Sequence, residues 1–122
     1  MHKKTILMGL VLAFLLSFLL MTLFMTPVRA AKTWTVDDDG PADFPTIQAA
    51  INAASDGDTV QVKAGTYYEH VVVNKPLTLV GENSRTTIID GSGTDIVVHI
   101  TASNVEIRGF TIQNGMMGNG YF

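Results

Sequence analysis

Beyond residue 30, apolar and polar positions alternate in short bursts. Val60 and Val62, Leu77 and Leu79, Ile96, Val98 and Ile100, Val105 and Ile107, then Phe110 and Ile112 each flank a polar or tolerant neighbour. A period of two sends one face of a segment into a core and the other into water, as half-buried strands require. Turn formers separate the bursts: Ala64-Gly65, Asn74-Lys75-Pro76, Val80-Gly81, Asp90-Gly91, Ser92-Gly93, Arg108-Gly109 and Asn114-Gly115. One segment keeps another period. Ile47, Ala50, Ile51 and Ala54 fall at i, i+3, i+4 and i+7, with Gln48, Asn52 and Ser55 off the apolar stripe. This spacing predicts one amphipathic helix of about ten residues. Asp43 or Thr46 is placed to cap its start, and Ser55-Asp56-Gly57 to stop it, with Gly57 available for a left-handed C-cap.

An internal repeat separates two all-β architectures. Val73, Leu77, Leu79, Gly81 and Ile89-Asp90-Gly91 are echoed by Ile100, Val105, Ile107, Gly109 and Ile112-Gln113-Asn114-Gly115. Two strands, a Gly corner, a third strand and a polar-Gly exit therefore recur with a period in the twenties. Such a period, with Gly or Asn at the corners, fits the coils of a parallel β-solenoid. The alternative, an antiparallel sandwich, expects two-residue Asn-Gly or Asp-Gly hairpins between longer paired strands, and the linkers here are not of that kind.

The N-terminus has a different character. His2, Lys3 and Lys4 precede an apolar run from Ile6 to Met25, interrupted only by Gly9, Ser17 and Thr22 and followed by Pro27-Val28-Arg29-Ala30-Ala31. A charged start, a greasy middle and small residues at the exit make a secretory signal. Residues 1–30 are expected to act as a signal peptide cleaved after Ala30 or as an uncleaved signal anchor. The run is long enough for either, and both outcomes put the remainder outside the cytoplasm, in an extracellular, cell-surface or periplasmic setting. Residues 31–122 form the folded part. They offer about three coils, near the minimum at which burial offsets conformational entropy. The helix at 46–54 is expected to cap their N-terminal end. Nothing comparable closes the other end, because Gly115 to Phe122 is too Gly-rich for a helix and too short for a further coil. The chain is thus expected to be the N-terminal portion of a longer protein, or one whose open end is covered by missing coils or a partner, and to self-associate through its last coil.

Composition narrows the function. The chain has 122 residues, 47% hydrophobic and 16% charged, and no Cys. Absent cysteine excludes disulfides, thiol nucleophiles and Cys-ligated metal centres. Three of the eight basic residues, Lys3, Lys4 and Arg29, lie in the first 30 positions, so the remainder sets five basic against eleven acidic residues. That balance argues against nucleic acid as a partner. No phosphate-binding Gly loop is present.

The stretch Asp43-Phe44-Pro45-Thr46-Ile47-Gln48-Ala49-Ala50-Ile51, then Gly65-Thr66-Tyr67-Tyr68-Glu69, Leu77-Thr78-Leu79-Val80-Gly81 and Thr87-Ile88-Ile89-Asp90-Gly91, resembles the opening of the pectin-lyase-like β-helix superfamily. It is similar to pectin methylesterases, to periplasmic copper-maturation proteins of the NosD type, and to β-helix surface proteins. The resemblance runs from about Trp34 to Gly115 and implies a right-handed single-stranded parallel β-helix. It does not fix function, since one fold hosts many chemistries. In the methylesterases the resemblance implies paired aspartates, glutamines and an arginine on later coils. No residue here occupies those positions, so no catalytic residue is carried over, and Tyr67 and Glu69 are read as packing residues of the opening coil.

Three clusters remain as candidate chemistry. Asp37, Asp38, Asp39 and Asp43 could supply general acid/base groups or calcium ligands. Their consecutive spacing is not that of a calcium loop, and a solvated turn ahead of a helix is the reading kept. His70 and His99 with Met116 and Met117 are candidate copper ligands. Without a repeated His spacing they are read as strand-face and tail residues, and neither metal nor cofactor is assigned. Trp34, Tyr67 and Tyr68 could stack on sugar rings. If Thr66, Tyr68 and His70 share one strand face, Tyr68 points outward, so Tyr68 and His70 are the candidate contacts for a polysaccharide or cell-surface glycan. The reading that results is an exported β-helix scaffold, non-catalytic and glycan-binding. The alternatives are a polysaccharide-modifying enzyme of the pectin esterase or lyase type with its active site beyond residue 122, and a periplasmic copper-binding protein.

Overall fold

A computed structural model of the protein describes residues 26–116. The chain divides into two units, Met1–Ala30 and Ala31–Phe122, and the secondary structure described here belongs to the second. The expected signal or anchor run from Ile6 to Met25 lies outside the described residues, as do Met117 and the tail to Phe122. Among the described residues no helix is long and apolar enough to cross a membrane.

Strand β1 (Thr33–Val36) leads to α1 (Ile47–Ala53), followed by β2 (Thr59–Val62), β3 (Gly65–Tyr68), β4 (Val71–Val73), β5 (Thr78–Gly81), β6 (Thr87–Asp90), β7 (Val98–Ile100), β8 (Glu106–Arg108) and β9 (Thr111–Gln113). They fall into three sheets, in the orders β1-β2-β5-β8, β3-β6-β9 and β4-β7. Every pairing is parallel. The chain visits the sheets in rotation, so each coil lays its strands on those of the coil before. The result is an all-β parallel solenoid of about four turns with one short helix, one turn more than the sequence suggests, because β1 already forms a rung beneath β2. An antiparallel sandwich is excluded by the strand directions alone.

The repeat read from the sequence is the stacking register. Leu79 pairs with Ile107, Val73 with Ile100, Ile89 with Ile112 and Asp90 with Gln113. Inward positions form apolar ladders, such as Trp34, Val60, Leu79, Ile107 and Tyr67, Ile89, Ile112, while Thr35, Gln61, Val80 and Arg108 line the outside. Val60, Val62, Val71, Val73, Leu79 and Ile89 are fully buried. Each such side chain contributes roughly 1.5–3 kcal/mol of transfer free energy. The coils differ in their corners. Only Glu69 and His70 separate β3 from β4, whereas Gly91 to Val97 separates β6 from β7. That excursion is held by positive φ at Ser92, Gly93 and Asp95 and by the Thr94 N–H on Gly91 O at 3.1 Å. Ile96, expected in a strand, therefore lies exposed before β7.

The helix begins where expected: Thr46 is the N-cap and its Oγ accepts from Ala49 N. Ile47, Ala50 and Ile51 enter the core, packed against β1, β2 and β4. The helix is shorter than its apolar stripe. Ala54 is already extended, and Gly57, at φ +84°, serves the following turn instead of a C-cap. Asp58 explains the early exit. It is fully buried, and its carboxylate accepts from Lys32 N at 2.9 Å, Trp34 Nε1 at 3.0 Å and Ser55 N at 2.9 Å, tying both ends of the first coil together. Two further side chains fasten α1. Glu69 takes the helix-start N–H groups of Ile47 and Gln48 at 2.9 and 3.0 Å, satisfying donors that no intrahelical carbonyl can reach. Gln48 exchanges two hydrogen bonds with the backbone of Val72, its amide acting as a one-residue strand on the edge of β4.

Candidate functional site

Tyr67 and Tyr68 are adjacent on β3 and so point to opposite faces. Tyr67 is turned inward, 3% exposed, with its hydroxyl donating to Lys63 O at 2.9 Å. Burial and the nearby Asp38 and Asp37 charges push its phenol up to about 12, so it remains a neutral donor at physiological pH. Tyr68 points out and is 71% exposed, the one exposed aromatic ring among the described residues. Its register partners on the outer face are Asp90 and then Gln113.

Asp90 is no free acid. Its carboxylate accepts from Gln113 Nε2 at 3.0 Å, Ser92 N at 2.8 Å and Asn114 Nδ2 at 2.8 Å. These bonds, that from Gln113 foremost, hold the carboxyl below the ordinary range. It remains an anion that joins the third coil to the fourth.

His70 lies past the end of the strand that carries Tyr68. The strand ends at Tyr68, and His70 occupies the corner before β4. Its Nδ1 meets Ile96 O at 3.0 Å and its Nε2 meets Thr94 Oγ at 3.2 Å, so the ring ties this corner to the excursion above it. Of the three residues expected on one strand face, Thr66 and Tyr68 lie within β3.

The acidic loop divides likewise. Asp37, Asp38 and Asp39 bring one carboxylate oxygen each within 4.8 Å of one another. Hydrogen bonding with Asp37 and repulsion from Asp37 and Asp38 raise the Asp39 carboxyl above its usual value. Asp38 lies against Gly65, where a Cβ would stand 2.7 Å from its Oδ1. Asp43 turns away to accept from Thr35 N at 2.9 Å and Thr35 Oγ at 3.0 Å, which lowers its pKa. Neither His70 nor His99 belongs to the carboxylate group, the one set of three such ligand atoms among the described residues. His99 faces outward beside Val72, and Met116 is 66% exposed. Trp34 packs within the fold, with Lys32 Nζ 3.4 Å from its ring centroid and the Phe44 ring tilted against it at 5.5 Å between centroids.

Sequence reasoning missed Asp58 and Gln48. Asp58 follows Gly57 and reads as a turn acid, and only its burial distinguishes it. Gln48 reads as a solvent-facing helix residue, and nothing in a single helix pattern reveals that its amide meets a strand edge.

No protein-family model matches the chain, and no solved structure matches it. Two curated proteins are similar. Over 65 residues, 48% of the chain, it is 42% identical to Pectinesterase 2 of Arabidopsis thaliana, of which the match covers 11%. Over 121 residues, 97% of the chain, it is 33% identical to a cell surface glycoprotein of Methanothermus fervidus, of which the match covers 18%. The chain thus spans less than a fifth of the length of either curated relative.

Proposed function

We propose that the chain belongs to an exported, cell-surface or secreted right-handed β-helix scaffold that binds carbohydrate on the face carrying Tyr68. In this reading residues 1–30 direct export and α1 closes the N-terminal end of the coils. The observation that carries it is the likeness to a cell surface glycoprotein along 97% of the chain, all of the parallel coils included. The use of the carboxylates agrees. Asp58, Glu69 and Asp90 are each engaged by donors of the fold itself, so they serve as braces between coils. An exposed ring on a rigid parallel sheet can stack on a sugar without reorganising.

The test is retardation of the chain in native gels containing homogalacturonan, xylan or mannan. Retardation by at least one polymer is expected, with Tyr68→Ala weakening it roughly three- to tenfold, as loss of one ring contact implies, and Tyr68→Phe keeping it. Binding unchanged in a folded Tyr68→Ala chain, or none to any polymer, contradicts the proposal. The Pectinesterase 2 match favours a second reading, a polysaccharide-modifying enzyme of the pectin esterase or lyase type. That reading places its active site beyond residue 122, so release of methanol from methyl-esterified pectin by a longer protein that begins with this chain, and not by residues 1–122, would select it.

A further inference from the structure

Neighbouring coils are unequal where β3 and β6 end. The lower one turns from β3 to β4 through Glu69 and His70, and the one above it spends all of Gly91 to Val97 on the same corner. Val71, Val73 and Val97 fill the inner side and are buried, so the extra length has to stand outside. Ser92 to Ile96 are accordingly exposed without a break. The projection is held in place from both neighbouring coils. The His70 ring meets Thr94 Oγ at 3.2 Å and Ile96 O at 3.0 Å from below, and Gly93 N–H donates to Asn114 O at 2.7 Å above. It begins directly after Asp90, the register partner of Tyr68, so the exposed tyrosine lies at its foot. The corner is on the flank of the coils, where β6 and β9 already follow β3 in the sheet.

We propose that Tyr68 and this projection form one subsite, a ring floor with a polar wall, which takes uncharged glycan and turns away polyuronates, an inference that rests on the carbohydrate-binding reading of Tyr68. The wall offers the hydroxyls of Ser92 and Thr94 and the carboxylate of Asp95, which accepts from Ile96 N at 2.7 Å. Asp90 stays an anion beside Tyr68, held by its three donors. At the start of β3 the Asp38 carboxylate lies against Gly65, with Asp37 and Asp39 grouped around it. Carboxylates accept from sugar hydroxyls, whereas a uronate brings a second acceptor and a like charge.

The cations described in the coil unit lie elsewhere. Lys32 stands over the Trp34 ring, Lys75 donates to Ala54 O, and Arg108 pairs with Glu106. Lys63 and Arg85 precede β3 and β6, at the end of those strands away from Tyr68. The strand alone spans about 10 Å at ~3.3 Å per residue, beyond a physiological Debye length of about 8 Å. The charge that a ligand meets at Tyr68 is therefore negative.

Equilibrium binding of the full chain, in an uncharged detergent and without divalent cations, tests this. The uncharged polymers are mannan, unsubstituted xylan and methyl-esterified homogalacturonan; the polyuronates are mannuronan and de-esterified homogalacturonan. At low salt the best uncharged polymer should bind on the order of tenfold more tightly than either polyuronate, since a uronate at the subsite faces Asp90 and Asp95 together. Raising the salt to about 0.5 M should narrow the difference by screening exposed charges within about 4 Å. Asp95→Asn, which keeps a side chain tolerant of the left-handed φ of +51°, should narrow it roughly threefold at low salt. A polyuronate bound as tightly as the best uncharged polymer overturns the proposal, as does a preference that neither salt nor Asp95→Asn reduces. Binding that Tyr68→Ala leaves unchanged, or binding to no polymer, overturns the Tyr68 reading itself and this inference with it.

Discussion

Replacing Gly109 by alanine is expected to destabilise the last coil by about 2–5 kcal/mol, adding left-handed strain to a steric overlap. Gly109 sits at φ +79°, where a side chain is strained whatever space it has. A Cβ there would also run into the carbonyl oxygen of Gly81, and a Cβ on Gly81 would run into the carbonyl oxygen of Gly109. Both obstacles are backbone, so no rotamer relieves them. The pairs Thr78–Glu106, Leu79–Ile107 and Val80–Arg108 lie immediately beside this contact, and the overlap can be relaxed only by parting β8 from β5. In a stack where each coil touches its neighbours, the loss should stay local, with the fourth coil opening before the others. Gly57→Ala is the control. It has φ +84° with nothing within 4 Å of a built Cβ, so it carries strain without overlap and should cost about 1–2 kcal/mol. Urea titrations followed by circular dichroism check both. A Gly109→Ala chain no less stable than Gly57→Ala would contradict the close stacking of these corners.

Asp58→Ala is expected to have a comparable effect at the other end. The substitution leaves Lys32 N, Trp34 Nε1 and Ser55 N without the buried carboxyl group that accepts from all three. Three hydrogen bonds to part-buried donors are lost at once, and at about 1 kcal/mol each the loss should be on the order of 2–4 kcal/mol. Asp58→Asn keeps the shape and one acceptor oxygen and should lose distinctly less. Trp34 is the sole tryptophan, so its fluorescence reports this end of the solenoid directly. A red shift in Asp58→Ala at urea concentrations that leave the wild type unchanged is the expected result. Coincident unfolding curves for the two chains would show that the carboxylate is not the clamp described.

The solenoid was legible in the sequence because its physics is periodic. Inward apolar residues must recur once per coil, so Leu79 and Ile107, or Ile89 and Ile112, carry their pairing in the sequence itself. The helix start was legible to within a choice of two caps, Asp43 or Thr46, of which Thr46 is the one used. The extra rung was not, because β1 is separated from β2 by a loop and a helix that hide the repeat. The candidate site was less legible still. Alternation placed Tyr68 at an exposed position, but the end of β3 before His70 was not marked, because a strand ends where its backbone stops pairing and side-chain pattern does not show that point. Asp58, Glu69 and Gln48 act through contacts made 21 to 26 residues away in sequence, invisible to any local window.

The central claim is that neighbouring coils lie parallel and in register. Outward residues Gln61 and Val80 are register partners, as are Val80 and Arg108. Neighbouring strands stand about 4.8 Å apart, within the Cα range a disulfide spans, while alternate strands stand about twice that. The most direct measurement is disulfide formation in three double-cysteine variants of this cysteine-free chain. Gln61→Cys/Val80→Cys and Val80→Cys/Arg108→Cys should each close within one molecule under mild oxidation, and Gln61→Cys/Arg108→Cys should not. Closure of the last pair, or failure of the first two in folded protein, would contradict the stacked parallel coils.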